Sequence, residues 1–386
     1  MDELLVAHVV ALWGFGIALA FGMVANKTQF CTMGALSDWV NFGSLTRFRA
    51  WLLAMAVAIA LSQAMQLMGW IDLSTAIYRS SNFGWLGNSV GGLLFGIGTT
   101  LGSGCGQRTL VRVGGGNLKA LVVLLVLGIT AYMTLRGLLA VVRIEVFQRT
   151  NLDLASYGVT DQGLTTLLAY VLDTEPWIVS VTVSALVVLT LLWFVFKDGA
   201  FRASGENMLV GAALGLLVAS AWYVTGVIGF DDFDPVPFEA VTFIAPVGNA
   251  INYLMTWTGS TIGFGIAVVF GILCGSLFYA LGSGGFRIET FSDRADMINH
   301  LIAGVLMGFG GVLALGCTVG QGVAGISTLS VGAILATEPV PSCWAQWLRP
   351  RCSTTCSTSR FPNPFADRWL NCVCCQGRAS SSLSLV

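Results

Sequence analysis

Charge is what this 386-residue chain has little of: only 10% of its residues are Asp, Glu, Lys or Arg, against roughly 25% in an ordinary soluble domain. With 55% of the residues hydrophobic, a soluble globular protein is excluded. There is no surplus of either sign, since 19 Lys and Arg face 20 Asp and Glu, and without a basic excess the chain cannot neutralise nucleic-acid phosphates. Histidine is almost absent too. His8 and His300 lie far apart in sequence, which leaves little for a His-based zinc site or a Cys–His nucleophile pair. No GxxxxGK[ST] loop occurs, and Gly114-Gly115-Gly116 beside Arg108, Arg112 and Lys119 reads as a glycine-rich turn at the cytoplasmic face. Neither a metal nor a cofactor is expected.

Long apolar runs take the place of charge. A bilayer core needs about 20 apolar residues per helix. Such runs occur approximately at Leu4–Ala25, Ala50–Gly69, Gly87–Leu101, Ala120–Val142, Trp177–Phe196, Met208–Ile228, Gly259–Leu281 and Leu301–Gly316, and a broken stretch from Gly320 to Ala336 follows. The 47 glycines lie within these stretches without a collagen period, where they let membrane helices approach closely or break. The expected fold is an all-α integral membrane protein of about 8–9 transmembrane helices plus short re-entrant helices. The first run opens on Asp2 and Glu3, not on a basic stretch, and reads as an uncleaved span.

Orientation follows from the basic residues. With the amino terminus outside, alternate loops place Lys27, Arg47, Arg49, Arg108, Arg112, Lys119, Lys197, Arg202, Arg287 and Arg294 inside, and only Arg79, Arg143 and Arg149 outside. Cytoplasmic loops carry the basic excess, so the amino terminus is expected on the periplasmic side. The outside loops hold acidic clusters, Asp231, Asp232, Asp234 and Glu239 in one and Asp153, Asp161, Asp173 and Glu175 in another.

The chain also repeats itself. Gly14-Phe15-Gly16-Ile17-Ala18 followed by Phe21-Gly22 recurs as Gly263-Phe264-Gly265-Ile266-Ala267 followed by Phe270-Gly271, seven identities in nine positions. Gly92-Leu93-Leu94-Phe95-Gly96-Ile97-Gly98, leading to Gly104-Cys105, matches Gly304-Val305-Leu306-Met307-Gly308-Phe309-Gly310, leading to Gly316-Cys317. Related halves are a common transporter design. One membrane domain over residues 1–340 is therefore expected, with two pseudo-symmetric halves at about 1–142 and 177–340. Simple alternation makes the first repeat parallel and the second antiparallel, so a re-entrant run is expected around the cysteines.

Three segments put one cysteine each at a helix break among small polar residues: Asn26-Lys27-Thr28-Gln29-Phe30-Cys31-Thr32-Met33-Gly34, Gly102-Ser103-Gly104-Cys105-Gly106-Gln107-Arg108-Thr109-Leu110 and Gly316-Cys317-Thr318-Val319-Gly320-Gln321-Gly322. Glycine supplies backbone freedom, and a helix starting after the cysteine would aim free N–H groups at an anion. A thiol adds a weak donor and a soft acceptor suited to another sulfur. The plainer alternatives are a small buried hydrophobe, the reading kept for Cys274, or a helix-packing seam. Arg136, near a span end, reads as a snorkelling side chain.

The cysteine segments resemble the motifs of the YeeE/YedE family of sulfur-compound transport membrane proteins, and the resemblance covers roughly residues 4–337. It implies an hourglass of long and short helices that imports thiosulfate or a related sulfur anion across the bacterial inner membrane. Cys31, Cys105 and Cys317 would then form a thiol relay, with Gln29, Gly104, Gln107, Gly316, Thr318 and Gln321 supporting it. A TusA-like cytoplasmic sulfur carrier is the implied partner. A membrane thiol enzyme or sulfurtransferase carrying a Cys persulfide, or a transporter of a selenium species, is the alternative; no base lies within the motifs to activate a thiolate.

The last 46 residues depart from this pattern. Pro341 to Val386 holds six Cys, eight Ser, five Arg and a single acid, Asp367, and Glu338 and Pro339 interrupt the expected last span. This tail is expected to be disordered or an aberrant, out-of-frame sequence.

Overall fold

The structure is a computed structural model that describes residues 2–230, 236–291 and 293–337. The tail beyond residue 337 and the acidic trio Asp231, Asp232 and Asp234 lie outside the described residues. All eight apolar runs form helices. In chain order the helices are α1 (Asp2–Thr28), α2 (Thr32–Phe42), α3 (Thr46–Leu67), α4 (Trp85–Leu101), α5 (Gly106–Gly114), α6 (Leu118–Arg136), α7 (Leu138–Val142) and α8 (Leu164–Leu172). There follow α9 (Pro176–Phe196), α10 (Gly199–Ala203), α11 (Gly205–Tyr223), α12 (Ile244–Met255), α13 (Phe264–Gly282), α14 (Arg294–Leu313) and α15 (Val331–Thr337). Among the described residues seven helical segments are long and apolar enough to cross a membrane. The chain is thus an all-α multi-pass membrane protein. A run of 17 residues makes α4, about 26 Å at 1.5 Å per residue. Strand structure among the described residues is limited to the pair Asn82–Phe83 and Leu152–Asp153, which joins two loops.

Both repeated segments pack as helix partners, in the orientations that alternation requires. In α1 and α13 Gly14 meets Phe264 and Gly22 meets Ile272 and Ser276, so these two helices run parallel. In α4 and α14 Gly91 meets Gly310 and Ala314, and Gly98 meets Ala303 and Met307, so these run antiparallel. A Cβ at Gly91 would come within 2.6 Å of the Ala314 backbone nitrogen, and one at Gly310 within 2.7 Å of the Gly91 oxygen. In an apolar solvent helices gain little from hiding apolar surface and associate through close packing, so the repeated glycines serve as seams. A short helix unforeseen from the sequence, α12, starts in mid-bundle beside Gly106 and Gly311 and leans on α6, where Gly248 meets Gly128 and Tyr132.

Polar side chains complete the frame where helices end. Arg143 donates to the Thr134 and Leu135 carbonyls at 3.1 and 3.3 Å, closing the end of α6. Arg79 and Asp161 form a buried pair through Arg79 Nη2 at 2.9 Å, and Asp161 also accepts the Gly163 N–H at 2.6 Å. At the opposite end of the bundle Ser276 of α13 donates to the Val111 carbonyl of α5 at 2.5 Å and accepts from Asn26 of α1 at 3.1 Å.

The seam at Gly91 makes a direct test of this packing. Gly91→Val should lower the stability of the solubilised protein by about 3 kcal/mol, as overpacking against backbone does. Gly16→Ala, where nothing lies within 4 Å, should leave it unchanged or slightly raised. Thermal unfolding followed by tryptophan fluorescence checks both.

Candidate functional site

The three expected cysteines sit on the same backbone device. Two residues before each one, a residue that is not glycine adopts a left-handed conformation: Gln29 at φ 51°, Ser103 at φ 56° and Leu315 at φ 58°. Such a residue ends the preceding helix and turns the chain. The Gly104 N–H then bonds to the Thr99 carbonyl at 3.0 Å and the Gly316 N–H to the Gly311 carbonyl at 2.8 Å, each closing onto the carbonyl five residues back. Gly104 and Gly316 therefore hold equivalent places. Each cysteine carbonyl opens the next helical turn by accepting an N–H four residues on: Ala35 to Cys31 and Thr109 to Cys105, both at 2.9 Å, and Gln321 to Cys317 at 2.7 Å. The first two turns start α2 and α5, and the third starts a single π-helical turn, Gly320–Gly325.

The breaks meet in the interior. Cys31, Cys105 and Cys317 are all buried free thiols. The side chains of Cys31 and Cys105 lie within hydrogen-bonding reach of each other. Cys317 and Thr318 lie close to Cys105. The Gly320 N–H points at Cys317 Sγ at 3.3 Å. Neither Cys31 nor Cys105 caps its helix with a side-chain bond, so the first N–H groups of α2 and α5 face the thiol region with their positive ends.

The supporting residues divide by role. Gln29 is gripped by Arg108, whose Nη1 and Nη2 donate to its carbonyl and Oε1 at 3.1 Å each. That grip fastens the end of α1 to α5 across the gap between Cys31 and Cys105. Gln321 Nε2 is committed to the Ala314 carbonyl. Gln107 is fully buried with neither side-chain atom partnered. Cys274 is half-buried on α13, outside this cluster. The left-handed conformations of Ser103 and Leu315, which make the breaks, are not legible from the sequence, because Leu in particular carries no preference for positive φ.

One cavity opens on Cys317, and a second is walled by residues on either side of Cys105 in sequence. The first, about 390 Å³, is lined by Gly316, Cys317, Thr318 and Gln321 on one side and by Thr32 and Met33 on the other. The second, about 450 Å³, lies by the start of α6 and is lined by Ser103, Thr109, Arg112, Lys119, Glu289 and His300. There Lys119 pairs with Asp296 at 2.7 Å, and His300 Nδ1 lies 2.8 Å from the Asp296 carbonyl.

Two measurements probe this geometry. Oxidation of the solubilised chain with copper phenanthroline should yield a Cys31–Cys105 disulfide, seen by mass spectrometry of the digest and absent after Cys105→Ser. Leu315→Gly should raise stability by about 1 kcal/mol by relieving the left-handed strain, whereas Leu315→Val should lower it; melting curves decide.

Comparisons with known proteins identify the family. The chain is 24% identical over 355 residues, 86% of its length and 93% of the relative's, to the thiosulfate transporter TsuA of Escherichia coli strain K12. It is 25% identical over 331 residues, 84% of its length and 94% of the relative's, to the thiosulfate transporter TsuA of Spirochaeta thermophila. The family model described as sulphur transport matches residues 27–338, a range that takes in all three cysteine breaks. On that match the chain belongs to the sulphur-transport family, the YeeE/YedE membrane proteins whose cysteine motifs it carries.

Proposed function

We propose that this chain imports thiosulfate, or a closely related small sulfur anion, through a path on which Cys317, Cys105 and Cys31 act as successive contacts. The observation that carries the reading is the convergence of three buried thiols, each placed by the same helix break. The names of two relatives that align over most of the chain support the cargo.

The physical chemistry of the path is simple. An anion leaving water for a low-dielectric interior needs donors in place of its hydration shell. Thiol S–H groups and the free N–H groups of α2 and α5 supply them. A neutral thiol is a weak donor, and weakness suits passage, since a permeating ion must be held well enough to enter and loosely enough to leave. Gly104 and Gly316 let the backbone turn at the neck, Gln29 and Gln107 line the approach to Cys31 and Cys105, and Thr318 and Gln321 do so beside Cys317.

The setting follows from the loops. Lys27, Arg47 and Arg49 between α1 and the start of α3, Arg108, Arg112 and Lys119 from α5 to the start of α6, and Lys197 and Arg202 around α10 support a cytoplasmic side there, with the amino terminus in the periplasm of a bacterial inner membrane. Residues 1–340 then form one transport domain of two related halves. The cavity containing Arg112, Lys119 and His300 becomes the inner mouth, where a TusA-like cytoplasmic carrier would receive the sulfur.

Uptake of radiolabelled thiosulfate into proteoliposomes tests the reading. The wild-type chain should accumulate label, and Cys31→Ala, Cys105→Ala and Cys317→Ala should each reduce uptake at least tenfold at equal expression. Undiminished uptake by all three variants would remove the thiols from the path.

A further inference from the structure

One carboxyl of the outer acidic loop has no part in the thiol path. Glu239 lies half-buried between the spans of α11 and α13, in the stretch that follows Asp231, Asp232 and Asp234. Its Oε1 accepts the Gly265 N–H in the first turn of α13 at 3.2 Å, and its backbone carbonyl accepts from Thr225 Oγ1 at 2.9 Å. Among the described residues no side chain bonds to the carboxyl. Tyr78 links it to the neck, since Glu239, Thr242 and Cys317 all lie close to that one phenol. Tyr78 is only 3% exposed. It is held in place by Trp222, against which its ring is edge-on at 6.2 Å, and by Ser330, whose hydroxyl donates to its carbonyl at 2.5 Å. Thr242 in turn packs on Gly320, where a Cβ would come within 2.6 Å of its hydroxyl, and the Gly320 N–H is the one that points at Cys317 Sγ.

The charges around Glu239 are few. Burial pushes its carboxyl up to about 7, against the pull of the Gly265 N–H. The titratable groups near it among the described residues are Tyr78 and, past Tyr78, Cys317. Arg79, next in the chain to Tyr78, is taken up by Asp161. The first turn of α13, the start of α12 and the turn after α11 bring no charged side chain towards it, so no described cation holds the carboxyl ionised.

We propose that Glu239 is a proton-binding site at the outer mouth, protonated whenever the anion reaches Cys317, so that entry of thiosulfate takes up a proton from the outer side. The inference rests on the transport reading above and adds a second ion to it. An ionised carboxylate beside the entrance repels a dianion, and the dianion in turn disfavours the ionised carboxyl. The two binding events are therefore reciprocally coupled. The cargo is the dianion of a strong acid and does not itself titrate near neutrality, which leaves the carboxyl to carry the proton. No bond of the cargo changes: the proton passes from outer water to the Glu239 carboxylate and returns to water once the anion has moved on.

The test uses the full-length chain in proteoliposomes. Initial uptake of radiolabelled thiosulfate, well below half-saturation, is measured across about pH 6 to 8, where an unperturbed thiol stays largely neutral. Wild-type uptake should be about tenfold lower at the alkaline end, as for a group titrating at about 7 whose protonated fraction alone admits the anion. Glu239→Gln keeps an oxygen for the Gly265 N–H but cannot titrate, and its uptake should stay flat over the same range. Glu145→Gln, from the exposed pair with Arg149 in another outer loop, should keep the wild-type profile. In weakly buffered detergent solution near neutral pH, saturating thiosulfate should draw protons onto the wild-type chain, read by an indicator dye, and none onto Glu239→Gln. A decline with pH in Glu239→Gln equal to that of the wild type, or a wild-type rate indifferent to pH, would overturn the proton site and leave the transport reading standing. So would the absence of proton uptake by a wild-type chain that transports, a result that needs no variant to fold. No thiosulfate uptake by the wild type at any pH would overturn the transport reading and this inference with it.

Discussion

A helix that stops inside an apolar layer leaves backbone N–H and carbonyl groups with no water to take them, and each must find a partner within the protein. The interior of this chain is organised around three such stops. Each is closed by the fewest atoms that will do it: a left-handed residue, a cysteine whose carbonyl starts the next turn and, at two of the three, a glycine that bonds back five residues. The helices around the stops are placed to serve them. Arg108 reaches from α5 to the end of α1, and α12 enters the middle of the bundle beside Gly106 and Gly311.

The same constraint decides the electrostatics. A fixed cation at the neck would bind a dianion strongly and release it slowly. Here the nearest guanidinium, that of Arg108, is turned to the Gln29 carbonyl and amide oxygen. The thiols are surrounded instead by partial charges, the N–H groups of helix starts, which fall off within a turn. Full charges concentrate farther along, in the cavity of Arg112, Lys119 and Glu289. The interior thus grades from neutral donors to mixed charge over a short distance.

Much of this was legible in the sequence. The eight apolar runs map onto helices within a few residues, because hydropathy over a membrane-length window leaves little freedom. The constant offset from glycine to cysteine located the breaks, because both Gly104 and Gly316 meet a need specific to a helix end. Three things were hidden. Pro246, Asn249 and Asn252 disguise α12 as a loop, although it is a helix held by tertiary packing against α6. Leu315 and Ser103 adopt positive φ without a composition signal, because the surrounding fold imposes it. Trp51 belongs to an apolar run indistinguishable from the others, and only the packing of α2 and α4 beside α3 makes it part of a cavity wall.

The triple junction at Ser276 sets how the floor of the bundle can move. One hydroxyl ties the end of α5 to α13 and, through Asn26, to α1, and Gly114 packs against the same serine with no room for a Cβ. Swinging α5 as a rigid body would break these links and the Arg108 grip together. Rotation of side chains at the neck breaks none of them and takes picoseconds to nanoseconds when unhindered, whereas domain rocking takes microseconds to milliseconds. At this end of the bundle the helices are pinned to one another, and the freedom that is left belongs to single side chains.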